Sequence, residues 1–117
     1  MKKEAIYLSI VTLLSFNIAN SQSARSLKII NTFHIASAGG WDYLATGPVN
    51  NWLYVSHGTQ VNILNKLTGD SVGVIENTTG VHGIAFSVPD NRGFISNGRL
   101  NTVTVFMSNT VTVLSRQ

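Results

Sequence analysis

The segment Asn51-Trp52-Leu53-Tyr54-Val55-Ser56-His57-Gly58 returns as Asn91-Arg92-Gly93-Phe94-Ile95-Ser96-Asn97-Gly98. Self-similarity at a period of about 40 residues marks stacked four-stranded units. Neighbouring phrases keep that period. Trp41-Asp42-Tyr43-Leu44-Ala45 aligns with His82-Gly83-Ile84-Ala85-Phe86, Pro48 with Pro89, and Val61-Asn62-Ile63-Leu64 with Val103-Thr104-Val105-Phe106. Length differences fall between the apolar runs, where loops belong.

Each run is short, rich in β-branched and aromatic residues, and bounded by Gly, Pro, Asn or Asp, the punctuation of strands and turns. The pattern predicts an all-β chain of four-stranded antiparallel units. The first unit, residues 39–76, has strands at Trp41–Thr46, Trp52–Ser56, Gln60–Leu64 and Ser71–Ile75. The second, residues 80–106, has strands at His82–Ser87, Gly93–Asn97 and Thr102–Phe106. Ser26–Ile35 reads as a leading strand of the fourth-strand type, which in a closed ring completes the last unit. Residues 107–117 read as an atypical tail, because Asn109–Val113 repeats Asn101–Val105 word for word instead of opening a turn. A truncated gene product, a shifted frame or a local duplication would each give such a tail, and each leaves a strand edge open to pairing.

The first residues read as an export address. Lys2 and Lys3 precede an apolar stretch from Ala5 to Phe16, followed by small and polar residues. This is the order of a secretory signal peptide. Ala19 and Ser21 suit the cleavage pockets, so residues 1–21 are expected to be removed, as a signal-peptide helix preceding a mature part at 22–106 and its tail. The stretch is shorter than the roughly 20 apolar residues that span a bilayer, and no later segment supplies a transmembrane anchor. The expected address is periplasmic or secreted.

Composition narrows the chemistry. Of 117 residues, 44% are hydrophobic and 11% charged, with ten glycines and no cysteine. Thiol catalysis, thiolate metal sites and disulfides are therefore excluded. The formal charge is +3, but the cations beyond the leader are scattered and form no run. Nucleic acid is a poor fit, since phosphate binding needs a clustered basic surface.

With these residues in view, the chain resembles the YVTN-type β-propeller repeat family and its YncE-like exported members. Tyr54-Val55-Ser56 and Phe94-Ile95-Ser96-Asn97 stand where that family has its Tyr-Val-Thr-Asn signature. Leu67-Thr68-Gly69-Asp70, Val81–Ser87 and Asn101–Phe106 are similar to its turn and strand phrases. The resemblance covers about Leu27 to Phe106. It implies β-propeller blades, here about two of them, and a scaffold that leaves ligand and cofactor unnamed. A ring needs about four to eight blades, so self-association through exposed blade edges is an expected route to partners.

Strand direction alternates within a blade. The end of the fourth strand, the start of the first and the turn between the second and third therefore share one face. That face collects His34, Trp41, Asp42, His57, His82, Asn97 and Arg99. Trp41, Asp42, His57, His82, Asn97 and Arg99 are the candidate ligand-binding residues, because loops on a rigid scaffold carry binding groups. His34, His57 and His82 are the imidazoles available to a metal, although their separations match no short ligand motif. They serve equally well as loop hydrogen-bonding groups. No catalytic residue is assigned. The carboxylates are far apart in sequence and the serines lack a nucleophile elbow. Asn77-Thr78-Thr79 matches a glycosylation sequon, a pattern common by chance. The expected function is a non-enzymatic scaffold for a small ligand or a partner protein. The alternatives are part of an oxidoreductase-like or metal- or quinone-binding propeller, or a remnant with no independent function.

Overall fold

The computed structural model describes residues 26–117. The expected signal peptide at 1–21 lies outside the described residues. The chain divides into two units, Met1–Thr32 and Phe33–Gln117. In the first, residues 26–32 form neither helix nor strand, and the Thr32 amide donates to Asn31 Oδ1 at 2.8 Å.

The second unit is all-β: β1 Trp41–Thr46, β2 Trp52–His57, β3 Gln60–Asn65, β4 Ser71–Ile75, β5 Val81–Ser87, β6 Arg92–Asn97, β7 Thr102–Met107 and β8 Val113–Arg116. They form two four-stranded antiparallel sheets, each a meander in chain order, β1-β2-β3-β4 and β5-β6-β7-β8. There is no helix among the described residues, and none long and apolar enough to cross a membrane. Both sheets use the same pairings. Tyr54 lies opposite Ala45 and Ile63, as Phe94 lies opposite Ala85 and Val105.

Three sequence expectations are corrected. Ser26–Ile35 belongs to no strand, because a strand needs a ladder partner and both sheets already hold their four members. The tail is not outside the fold: Val113–Arg116 is the fourth strand of the second sheet. Its turn repeats the first sheet's turn bond for bond. Asn65 N–H donates to Asp70 O and Gly69 N–H to Asn65 O, both at 2.8 Å; Met107 N–H donates to Thr112 O and Val111 N–H to Met107 O, again both at 2.8 Å. Val111 therefore stands where Gly69 stands, with φ +63° against +81°. A β-branched residue rarely takes left-handed backbone, so the sequence carried no turn signal there.

The third correction is a register slip of one residue. Trp41 pairs with His57, and Val81, not His82, pairs with Asn97. Both first strands carry a bulge immediately afterwards, between Trp41 and Leu44 and between Val81 and Ile84. Because the bulge is common to both strands, it leaves the 40-residue offset between the repeats unchanged on either side of it. Trp41 thus corresponds to Val81, and Asp42 to His82.

The core lies between the sheets. Tyr54, Val61, Ile63 and Ile75 of the first sheet pack with Val81, Ile84, Ile95 and Phe106 of the second. All are buried, each large side chain adding about 1.5–3 kcal/mol of hydrophobic stabilisation. The Tyr54 ring is the knob. It meets Phe86 edge-on at 5.0 Å and Phe106 at 5.6 Å between centroids, and its hydroxyl donates to Ser108 O at 3.1 Å. Residue 93 is glycine beside this cluster, and a Cβ there would collide with Cζ, Cε1 and Cε2 of the Phe106 ring.

Candidate functional site

The β4–β5 connection brings the two sheets' loops together. Thr78 and Gly80 N–H donate to Thr59 and Gly58 O, each at 2.9 Å, and Gly98 N–H donates to Gly80 O at 2.8 Å. This ladder fixes the β2–β3 turn of the first sheet against the β6–β7 turn of the second. The two turns differ in length. His57 pairs with Gln60, leaving a two-residue turn, while Asn97 pairs with Thr102, leaving four residues. Arg99 lies in that longer turn and folds over Gly80, where a side chain would collide with it.

The result is a cleft of about 320 Å³ whose lining includes Trp41, Asp42, His82 and Arg99. Asp42 and His82, equivalent positions in consecutive repeats, meet through Asp42 Oδ2 and His82 Nδ1. Both side chains remain more than half open to solvent, at 51% and 70% exposure. The pair is free to bind at its outer side, and its own contribution to stability is small. One carboxylate, one imidazole and one guanidinium thus border the same opening, with an indole at its edge.

The other two candidates lie beneath this surface. His57 is 1% exposed because the Trp41 indole stacks on it, with centroids 3.7 Å apart and planes 9° from parallel. Its Nδ1 is hydrogen-bonded to Ser37 Oγ at 2.8 Å, and Ser37 Oγ also accepts from Asn62 Nδ2 at 2.9 Å. Asn97 is likewise 1% exposed and donates from Nδ2 to Thr104 Oγ1 at 2.8 Å and Thr102 Oγ1 at 3.0 Å. Each is the last residue of its strand rather than a loop residue, and its inward face follows from strand alternation. Each side chain is thus hydrogen-bonded through one of its two polar atoms, and most buried polar groups are bonded in full. His57 Nε2 and Asn97 Oδ1 have no protein partner.

His34 lies apart from the cleft, in an apolar groove on the first sheet. The three imidazoles are not brought together, and no group of three His, Asp or Glu side chains placed to hold a metal occurs among the described residues. Sequence reasoning missed Gly80, the residue on which Arg99 rests. Its positive φ of +73° leaves no side-chain signal of that role.

Comparison with protein-family models, curated proteins and solved structures gives no match.

Proposed function

We propose that this chain is a pair of β-propeller blades of the YVTN type that acts, in the periplasm or outside the cell, as a non-enzymatic binding scaffold for a small polar ligand. The observation that carries the reading is the cleft where Asp42 and His82 face each other beside Arg99. Two meanders with the same register, stacked through one apolar interface, support the blade assignment. A cleft with one anionic and one cationic group suits a ligand that carries both donors and acceptors, and Trp41 offers an edge for its apolar part. Nothing in the cleft forms a nucleophile–base pair of the kind acyl or glycosyl transfer needs.

The test is a thermal-shift and tryptophan-fluorescence screen of small carboxylates, amines, amino acids and sugars. A true ligand at ten times its Kd stabilises the fold by about 1.4 kcal/mol. The triple variant Asp42→Ala, His82→Ala, Arg99→Ala alters exposed side chains, so it should unfold like the parent while losing the response. A hit that shifts parent and variant equally would refute the cleft as the site.

A further inference from the structure

We infer that this chain docks head to tail on further copies of itself, using two outer sheet faces that reproduce its own internal interface. The internal interface has a donor face and an acceptor face. The donor is the face of the first sheet bearing Tyr54, Val61 and Ile63; the acceptor is the face of the second bearing Ile84, Ile95 and Phe106. Each sheet has both kinds of face, because side chains alternate along every strand. One donor face is therefore left open, and one acceptor face is covered only in part, by the segment from Phe33 to Ser37.

The uncovered donor face is on the second sheet. Register places Phe94, Val103, Val105, Ala85 and Ser96 there, at the positions of Tyr54, Val61, Ile63, Ala45 and Ser56. The side chains are alike in kind apart from the Tyr54 hydroxyl, but their exposure differs: Val61 is 0% exposed and Val103 40%. Phe94 replaces Tyr54 without the hydroxyl, so it asks for no carbonyl acceptor in the partner. An apolar hollow of about 390 Å³ lies along this face.

The partly covered acceptor face is on the first sheet, where Val55 and Leu64 are each 4% exposed and Leu44 stays open. Leu44, Val55 and Leu64 occupy the positions of Ile84, Ile95 and Phe106. They line a groove of about 630 Å³ together with Phe33 and Ile35, and Leu44 is 62% exposed. The molecule thus holds a worked example of the docking, a matching knob and a matching groove. A second copy is the occupant these observations fit, because the repeat supplies both halves of the contact. Such contacts are heterologous and close into a ring when the rotation between units allows it. Propellers of about four to eight sheets correspond to about two to four chains. The inference stands apart from the cleft's ligand.

Sedimentation velocity of the purified chain over a wide concentration range tests it. Assembly beyond the monomer is expected. Phe94→Glu spoils only the donor face and Leu44→Glu only the acceptor face, and each alone should weaken association at least about tenfold, as loss of a central apolar anchor does. Mixed together, the two variants should form a 1:1 pair and nothing larger, because one intact face remains on each. A parent that stays monomeric throughout overturns the inference. So does a mixture that stays monomeric, or a single variant that still assembles like the parent. Val103→Glu repeats the donor test, and the parent's own sedimentation decides the matter where a variant fails to fold.

Discussion

Gly93→Ala should unfold more easily than the parent, and the reason is one aromatic ring. The added methyl would collide with three atoms of the Phe106 ring, not with the flexible end of a side chain. Phe106 cannot withdraw. It is 0% exposed and is held by Tyr54 at 5.6 Å and Phe86 at 6.2 Å between centroids. Overpacking of this kind costs about 1–3 kcal/mol, and an immobile ring places the change near the top of that range. The backbone at 93 is ordinary strand, so alanine regains about 0.4–1 kcal/mol from the unfolded chain. The net expectation is a loss of about 2 kcal/mol. The first sheet fills the same cross-strand pair differently, with Leu53 opposite Leu64 where the second has Gly93 opposite Phe106. Volume is therefore shared within the pair. Phe106→Leu alone should cost about 1–2 kcal/mol, less than full truncation of a buried ring to alanine. Together the two changes should cost less than their sum, by at least about 1 kcal/mol of coupling. Urea unfolding followed by tryptophan fluorescence reads both quantities as midpoint shifts at constant slope. Additivity within about 0.3 kcal/mol, or a neutral Gly93→Ala, would refute the steric account.

Burial raises the Tyr54 hydroxyl from its ordinary 10.0 to about 12. The folded state thus holds the proton more tightly than the unfolded chain. Its contribution is complete below pH 10 and is lost as pH rises from 10 towards 12, by about 2 kcal/mol. Tyr54→Phe should remove that alkaline dependence, while costing about 1 kcal/mol at neutral pH for the bond to Ser108; alkaline melting curves of both proteins check this. Asn97→Asp puts a carboxylate where an amide donates to Thr102 and Thr104. A buried unpaired charge costs about 3–5 kcal/mol, so denaturation should show a severe loss at pH 7 that shrinks as pH falls and the carboxyl takes up a proton.

The strands were legible because their boundaries are written in Gly, Pro, Asn and Asp, and because the two repeats confirm each other. Seven of the eight were placed within a residue of their observed ends. The eighth was not, since Val111 forms a turn that in the first sheet is made by Gly69. Local chemistry could not announce it; the hydrogen bonds of the sheet impose it. The alignment error at β1 and β5 has another source. The two first strands share few residues, so their phrases could be matched one position out, and only the ladder pairing of Trp41 and Val81 fixes the offset. In the site, the shared loop end was legible from strand direction alone, and it gathered Trp41, Asp42, His82 and Arg99. Burial was not legible for His57 and Asn97. Which way a strand's last side chain points depends on register, and register came only with the pairing.

The location of the charged pair follows from the way repeats stack. Equivalent strand positions stay alike, as Tyr54 and Phe94, or Ile63 and Val105, do. A position at the rim meets its own equivalent one repeat on, because each unit contacts only its neighbour. Were that equivalent identical, two aspartates would repel at close range, and two histidines would compete for the same donor and acceptor roles. Asp42 and His82 differ, and the difference lets them pair. The longer β6–β7 turn is a second local departure from the repeat, and it delivers Arg99 to the same rim. Chemistry that could recognise a ligand is thus concentrated where the two units diverge. Where they agree, as at Ile63 and Val105, the side chains are apolar and offer no such groups.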